Sequence, residues 1–588
     1  MSIAYGVTWT DQRPIRRLIV LALSVLLLTA TLAAASAAGI GPRLPVIVRS
    51  APGAEAAAEQ AIVRNGGTVA LRLGIVNGFK AFVPSSRLHE LAAAPAIVAI
   101  TPDLPVRMSS VTSGLPYDTS EDGSLSRIAA ATGATTAWNK GYTGRGVDIA
   151  LIDTGVSPAA ELAGRVVNGP DLSFDSQEPA LRYLDGYGHG THMAGIIAAR
   201  PPDLAAGSTP PPNSFAGIAP DARIVNVKVG AFDGATDVSQ VLAAIDWIVQ
   251  HRKSGDLNIR VINMSFGTDG IQDYRLDPLT YAVEVAWQAG IVVVAAAGNA
   301  GYGTMHLNNP AHDPFIIAVG ADDMRGSVGS GNDIVPAFSS RGKARFPDLV
   351  APGKSVISLR VPGSFIDEAH PAGRIGDKYF RGSGTSQSAA VVSGAVALLL
   401  QQRPELTPDQ VKYLLRESAA PMPSEGTAAK GEGRMKIDAA IAASTPTGTA
   451  HVQTWEPATG LGTLHGARGS LRLVDEGVAL DGENDIFGQH FSTAEWAPRS
   501  AAHTAWQGGT WMGLELTGEG WCDDSWTARS WTARSWTARS WTARSWTARS
   551  WTARSWTGSG WSGDGWTARS WTANHWAGDS WSSAGWGD

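Results

Sequence analysis

The chain has a single cysteine, Cys522. An intramolecular disulfide is excluded, so stability has to come from apolar burial or bound ions. No Cys-His arrangement surrounds Cys522, and an incidental thiol is the plain reading. Charge is sparse as well. Charged residues make up 17% of the chain and the net charge is -6, with no basic excess, which argues against nucleic acid as the main partner. After residue 38 no apolar run is long enough to span a bilayer. Against these shortages stand 22 tryptophans, far more than a globular protein of 588 residues carries.

The amino end reads as a secretory signal, residues 1–37. Arg13, Arg16 and Arg17 precede an uncharged apolar run at 18–32, and Ala35-Ser36-Ala37 supplies the small residues of a cleavage site after Ala37. An uncleaved anchor is the alternative, because the apolar stretch approaches spanning length.

A small unit follows at 44–108. Strands are expected at 45–48, 68–73, 79–83 and 96–101, with helices at 54–63 and 85–93. The order β-α-β-β-α-β is the ferredoxin-like pattern, α+β in class. Residues 109–126 are polar and rich in Gly and Ser, as an exposed linker is.

From 127 to 444 near-continuous apolar strands alternate with helical patterns. Strands at 147–152, 224–229, 261–264 and 291–295, with helices at 238–252 and 279–288 between them, predict an α/β domain of three layers around a mostly parallel sheet. Thr407, Pro408 and Gln410 form a helix start with a capping box. Residues 445–495 read as a linker with a small segment. From 496 to 588 a repeat tail is expected, with Trp at every fifth position from Trp521 to Trp586 and with Trp496, Trp506 and Trp511 in the same register.

Peptide hydrolysis by a serine needs a nucleophile, a base, a carboxylate to orient the base, and donors for the oxyanion. Asp153 ends the first strand of the large domain, where open parallel sheets place their sites, although an Asp there serves a turn equally well. His189 sits in Gly188-His189-Gly190-Thr191-His192 at the start of a helical pattern. His192 is three residues on, not the four of a helical zinc motif, so packing suits it better than metal binding. Ser386 lies in Gly384-Thr385-Ser386-Gln387, at the head of a long helix, where a helix N-terminus favours an anion but where a serine also serves as N-cap. Asn299, in Ala297-Gly298-Asn299, has an amide able to donate to an oxyanion, or to serve a turn.

Together these segments resemble the subtilisin-like (subtilase) family over about 127–444. Ile152-Asp153-Thr154-Gly155, His189-Gly190-Thr191-His192, Asn263-Met264-Ser265-Phe266-Gly267, Ala297-Gly298-Asn299 and Gly384-Thr385-Ser386 all occur in family order. The resemblance implies a serine endopeptidase acting on protein or peptide substrates. Asp153, His189 and Ser386 would form the triad and Asn299 would donate to the oxyanion. Ser265, Phe266 and Gly267 would pair with extended substrate, and Ala296 and Gly298 would wall the main pocket. It implies no cofactor for the chemistry, and structural calcium without a ligand set assignable from sequence. It also implies that 44–108 is an inhibitory propeptide, removed by autolysis between about 105 and 126, while the amino-terminal signal pattern makes the chain a secreted one, extracellular or associated with the cell surface. After the nucleophile the family has Met-Ala-Ala-Pro, where this chain has Gln387-Ser388-Ala389-Ala390.

A five-residue step puts Trp on alternating faces of a strand and winds it around a helix. A disordered repeat, a stacked array, and adhesion to cell-wall or surface glycan through indole and arginine all remain open for the tail. A protease fold that only displays the tail is the rival function.

Overall fold

The computed structural model describes residues 43–74, 77–102, 117–301, 306–475, 478–517 and 585–586. The signal segment, Cys522 and the regular part of the Trp repeat lie outside the described residues. The chain divides into two compact units, 1–107 and 108–588.

In the first unit, β1 (Arg43–Ser50), α1 (Glu55–Arg64), β2 (Thr68–Leu73), β3 (Gly78–Pro84), α2 (Leu88–Ala92) and β4 (Ile97–Pro102) follow one another. The strands form one antiparallel sheet in the order β2-β3-β1-β4. Val46, Val48, Phe79, Ala81 and Val83 alternate with more exposed neighbours, and these inward residues meet Ala58, Ile62 and Leu91 of the helices in a core of the unit's own.

The second unit is built on β5 (Asp148–Asp153), β6 (Val166–Asp171), α3 (His189–Ala198), β7 (Arg223–Lys228), α4 (Val238–His251), β8 (Ile259–Met264), α5 (Pro278–Gln288), β9 (Val292–Ala296), β10 (Ile317–Asp322), β11 (Leu349–Pro352), β12 (Val356–Leu359), β13 (Arg374–Ile375), β14 (Tyr379–Ser383), α6 (Thr385–Gln402) and α7 (Pro408–Glu417). Seven strands form a sheet in the order β11-β10-β9-β8-β5-β7-β6, and every pairing in it is parallel. Helices α3 and α6 pack together, as do α4 and α5. Two helical layers thus enclose a sheet whose central strands β5, β9 and β10 are buried at every position, which is why they read as unbroken apolar runs. Among the described residues no helix is long and apolar enough to cross a membrane.

Residues 445–517 belong to this same body. Sequence alone separates them as a linker and the start of the tail, yet Trp496 and Trp511 are fully buried and Trp506 nearly so, in one core with the sheet. The segment is fastened to α4 and α5 by polar anchors. Arg468 grips Asp237 with two bonds of 2.7 and 3.0 Å. Ala458 N donates to the Glu284 carboxylate. The indole N–H groups of Trp496 and Trp511 both donate to Asp246 Oδ2 at 2.8 Å, and the Ser500 hydroxyl donates to Oδ1 at 2.5 Å. These three tryptophans share the spacing of the repeat but serve as structural anchors.

Candidate active site

The parallel sheet brings its chemistry to one edge. β5 and β8 are neighbours with Ile152 opposite Met264, so the next residues, Asp153 and Ser265, come at the carboxyl ends of adjacent strands. Asp153 is buried, and its Oδ1 lies 2.8 Å from His189 Nδ1. His189 is the first residue of α3.

Close approach between the β5 turn and α3 depends on glycine. A Cβ on Gly190 would lie 2.1 Å from Gly155 O and 3.1 Å from Asp153 Oδ1, so only Gly lets the helix start so near the strand end. Asp185 ties the same two segments together. Its carboxylate accepts from the Thr154 hydroxyl at 2.8 Å, Gly188 N at 2.6 Å and Thr191 N at 2.7 Å. Burial pushes the Asp185 carboxyl up, and these hydrogen bonds pull it back. Sequence alone does not mark Asp185, because Asp185-Gly186-Tyr187-Gly188 looks like an ordinary turn and its partners come from both sides of His189. His192, one turn into α3, is fully buried, and burial lowers its imidazole to about 3, so it packs as a neutral ring.

Ser386 is the second residue of α6, inside the N-cap Gly384, so its hydroxyl is not the cap. It lies in the turn whose backbone N–H groups have no partner within the helix. Its Oγ donates to Ser265 O at 2.6 Å, and the Ser265 hydroxyl donates back to Ser386 O at 2.9 Å. Asn263 Nδ2 donates to the Ser265 hydroxyl at 2.8 Å, and the Ser393 hydroxyl donates to Asn263 Oδ1 at 2.9 Å. The end of β8 and the first turns of α6 are thereby locked as one piece.

Asn299 follows β9. Its Oδ1 accepts from Thr385 N at 2.9 Å and from the Thr385 hydroxyl at 3.0 Å. A backbone N–H only donates, so the atom facing it must be the carboxamide oxygen, which turns Nδ2 away from Thr385. Gly298 has φ +107°, and a Cβ there would lie 2.3 Å from Asn308 Oδ1. Ala296 closes β9, and Gly298 N donates to the Thr385 hydroxyl at 3.1 Å. Phe266 and Gly267 continue the buried loop after Ser265. Contacts at the carboxyl ends of the sheet thus join Asp153 to His189, Ser265 to Ser386, and Gly298 and Asn299 to Thr385, the neighbour of Ser386, with Phe266, Gly267 and Ala296 close by in the chain.

The departure from the family pattern after Ser386 has a physical consequence. Gln387 is fully buried, and neither atom of its amide finds a hydrogen-bond partner among the described residues. Gln387→Met is expected to raise stability by about 1–3 kcal/mol, the cost of an unsatisfied buried polar group, and thermal denaturation of the two proteins measures it. Calcium finds no support in side chains. Among the described residues no group of three or more His, Cys, Asp or Glu is arranged to hold a metal ion.

Comparison with known proteins matches the profile of the subtilase family to residues 144–454. Serine protease AprX of Bacillus subtilis is 36% identical over 331 residues, covering 55% of this chain and 71% of that protein. Subtilisin Savinase of Lederbergia lenta is 33% identical over 307 residues, 52% of this chain and 95% of the relative. Minor extracellular protease Epr of Bacillus subtilis is 30% identical over 292 residues, 49% of this chain and 37% of the relative.

Proposed function

This chain belongs to the subtilase family and is a subtilisin-like serine peptidase, and on that premise we propose that it is a secreted endopeptidase, made as a zymogen, with Asp153, His189 and Ser386 as its triad. The observation that carries the triad is the 2.8 Å contact of Asp153 Oδ1 with His189 Nδ1 beside a serine held at the neighbouring strand end.

Asp153 accepts a hydrogen bond from Nδ1–H, which keeps the proton on Nδ1 and leaves Nε2 as the base. The Ser386 hydroxyl turns from the Ser265 carbonyl, gives its proton to Nε2, and its Oγ bonds to the scissile carbonyl carbon. Negative charge develops on the carbonyl oxygen and is met by Asn299 Nδ2 and Ser386 N. Collapse breaks the C–N bond, and the leaving amine takes the proton from His189. Water, deprotonated by the same imidazole, then hydrolyses the acyl-enzyme. Ser265, Phe266 and Gly267 hold the acyl half of the substrate as an added strand, and residues 296–298 wall its side-chain pocket. The chemistry needs no cofactor.

Residues 44–108 act as the inhibitory propeptide. The separate core of that unit supports this role, since it is able to fold ahead of a parallel sheet that forms slowly through non-local contacts. Export is supported by the amino-terminal signal pattern and by the extracellular relative Epr. Removal of the signal after Ala37 and autolysis between 105 and 126 complete maturation.

Incubation with an unfolded protein, followed by sequencing of the new termini, tests endopeptidase action. Internal cuts by the wild-type chain and none by Ser386→Ala are expected. Trimming only from chain ends would contradict it. Asn299→Ala is expected to lower kcat by about 10²–10³-fold with KM little changed, the size known for the equivalent loss in subtilisin, and steady-state kinetics on a peptide substrate measure it.

A further inference from the structure

The edge of β14 next to the nucleophile is already occupied by the chain itself. β12 lies along one edge of β14, with Val356 opposite Gly382. On the other edge β13 covers only Tyr379 and Phe380, and past it the strand Gly585–Trp586 pairs antiparallel with Gly382 and Ser383. Gly382 and Ser383 are held rigidly from the β12 side, where Ser355 N donates to the Ser383 hydroxyl at 2.8 Å and Gly384 N donates to Gly353 O at 2.8 Å. The opposite edge is therefore a fixed template for one more extended backbone.

That edge lies on a particular side of the chemistry. Ser386 follows Ser383 by three residues, and its Oγ is held by the carbonyl of Ser265. The nucleophile thus stands between two backbone segments, 265–267 and 382–383. On the pose proposed above, with the acyl half of a peptide along 265–267, we assign its amine half to 382–383.

We propose that Gly585–Trp586 is a tethered inhibitor that takes the place of the leaving-group half of a substrate on the edge of β14. The inference rests on the peptidase function proposed above. Backbone pairing tolerates many sequences, so the segment needs no cleavable bond of its own. Attachment through residues 518–584 gives it a high effective concentration over any substrate in solution.

The test uses the full mature chain, a Gly585→Pro/Trp586→Pro variant, which removes whichever of the two N–H groups faces β14, and a chain lacking 582–588. Each is assayed on a peptide extended on the leaving-group side and on a p-nitroanilide with the same acyl half. Loss of this pairing is expected to raise kcat/KM for the extended peptide about tenfold in both variants, through KM, with a change of less than about twofold for the p-nitroanilide. A synthetic peptide of residues 579–588 should inhibit the shortened chain competitively. Unchanged KM for the extended peptide in both variants, with Ser386-dependent p-nitroanilide hydrolysis intact, overturns the tethered inhibitor alone. Absence of any Ser386-dependent hydrolysis overturns the peptidase function, and this inference falls with it.

Discussion

Ser386→Ala should reduce kcat on the order of 10⁶-fold, the size found when the triad serine is removed from subtilisin. The loss follows from position. Ser386 Oγ is the only hydroxyl of the first α6 turns that is bonded to the Ser265 carbonyl at the strand end beside Asp153, and Thr385 and Ser388 direct their hydroxyls to Asn299 and Ala351 instead. KM should change little, because the backbone of 265–267 and 296–298 is untouched. His189→Ala should cost about as much, and the double variant no more than either single one, since a base without a nucleophile has nothing to deprotonate. Asp153→Asn should cost less, on the order of 10⁴-fold, because it disturbs the tautomer and not the attacking atom. Additive losses in the Ser386/His189 pair would mean that the two side chains do not work as a unit.

The second large effect is on stability, at Asp246. This buried carboxylate accepts from two indoles and a hydroxyl of the 493–511 segment, so Asp246→Ala leaves three donors buried without partners. At about 1–3 kcal/mol for each orphaned group, the cost approaches the whole stability of a typical domain. Asp246→Asn differs in kind. Its oxygen still accepts both indoles and its NH₂ donates to the Ser500 hydroxyl, so the network survives.

The pH dependence separates the two variants. Burial raises the Asp246 carboxyl to about 6, against those hydrogen bonds. A raised acid favours the protonated folded form. Its destabilising effect is therefore full above about pH 6 and fades as the pH falls through 6 toward the ordinary carboxyl range. The span is on the order of 3 kcal/mol at most. The wild type should gain stability from this group between pH 7 and 5, and Asp246→Asn should lack that gain. Denaturant unfolding at pH 5 and pH 8 measures both. Trp496→Ala removes a fully buried ring that meets Tyr281 edge-on at 5.7 Å, and should cost about 3–5 kcal/mol at either pH.

Local chemistry made much of this molecule readable from sequence. Asp153, His189, Asn299 and Ser386 each sit where a strand ends or a helix begins, and glycine marks each place, so short motifs locate them on the fold. The capping box of Thr407 and Gln410 is read correctly for the same reason, because both partners lie within one turn. Asp185 and the 445–517 segment were not legible. Asp185 gains its role from Thr154, which is distant in sequence. The segment after 444 is rich in Thr, Gly and Pro and its anchors are sparse, so it reads as linker. What holds Arg468, Trp496 and Trp511 are acids on α4 some 230 to 265 positions earlier in the chain, Asp237 and Asp246. Spacing alone also groups those tryptophans with the repeat, because periodicity carries no information on burial.

The most direct measurement is covalent labelling with a fluorophosphonate, followed by peptide mapping of the modified chain. One label per molecule on Ser386, acquired in step with loss of peptidase activity and absent from His189→Ala over the same interval, is the expected result. Labelling at another serine, or full hydrolysis by a chain whose Ser386 is blocked, would contradict the assignment of Ser386 as the nucleophile.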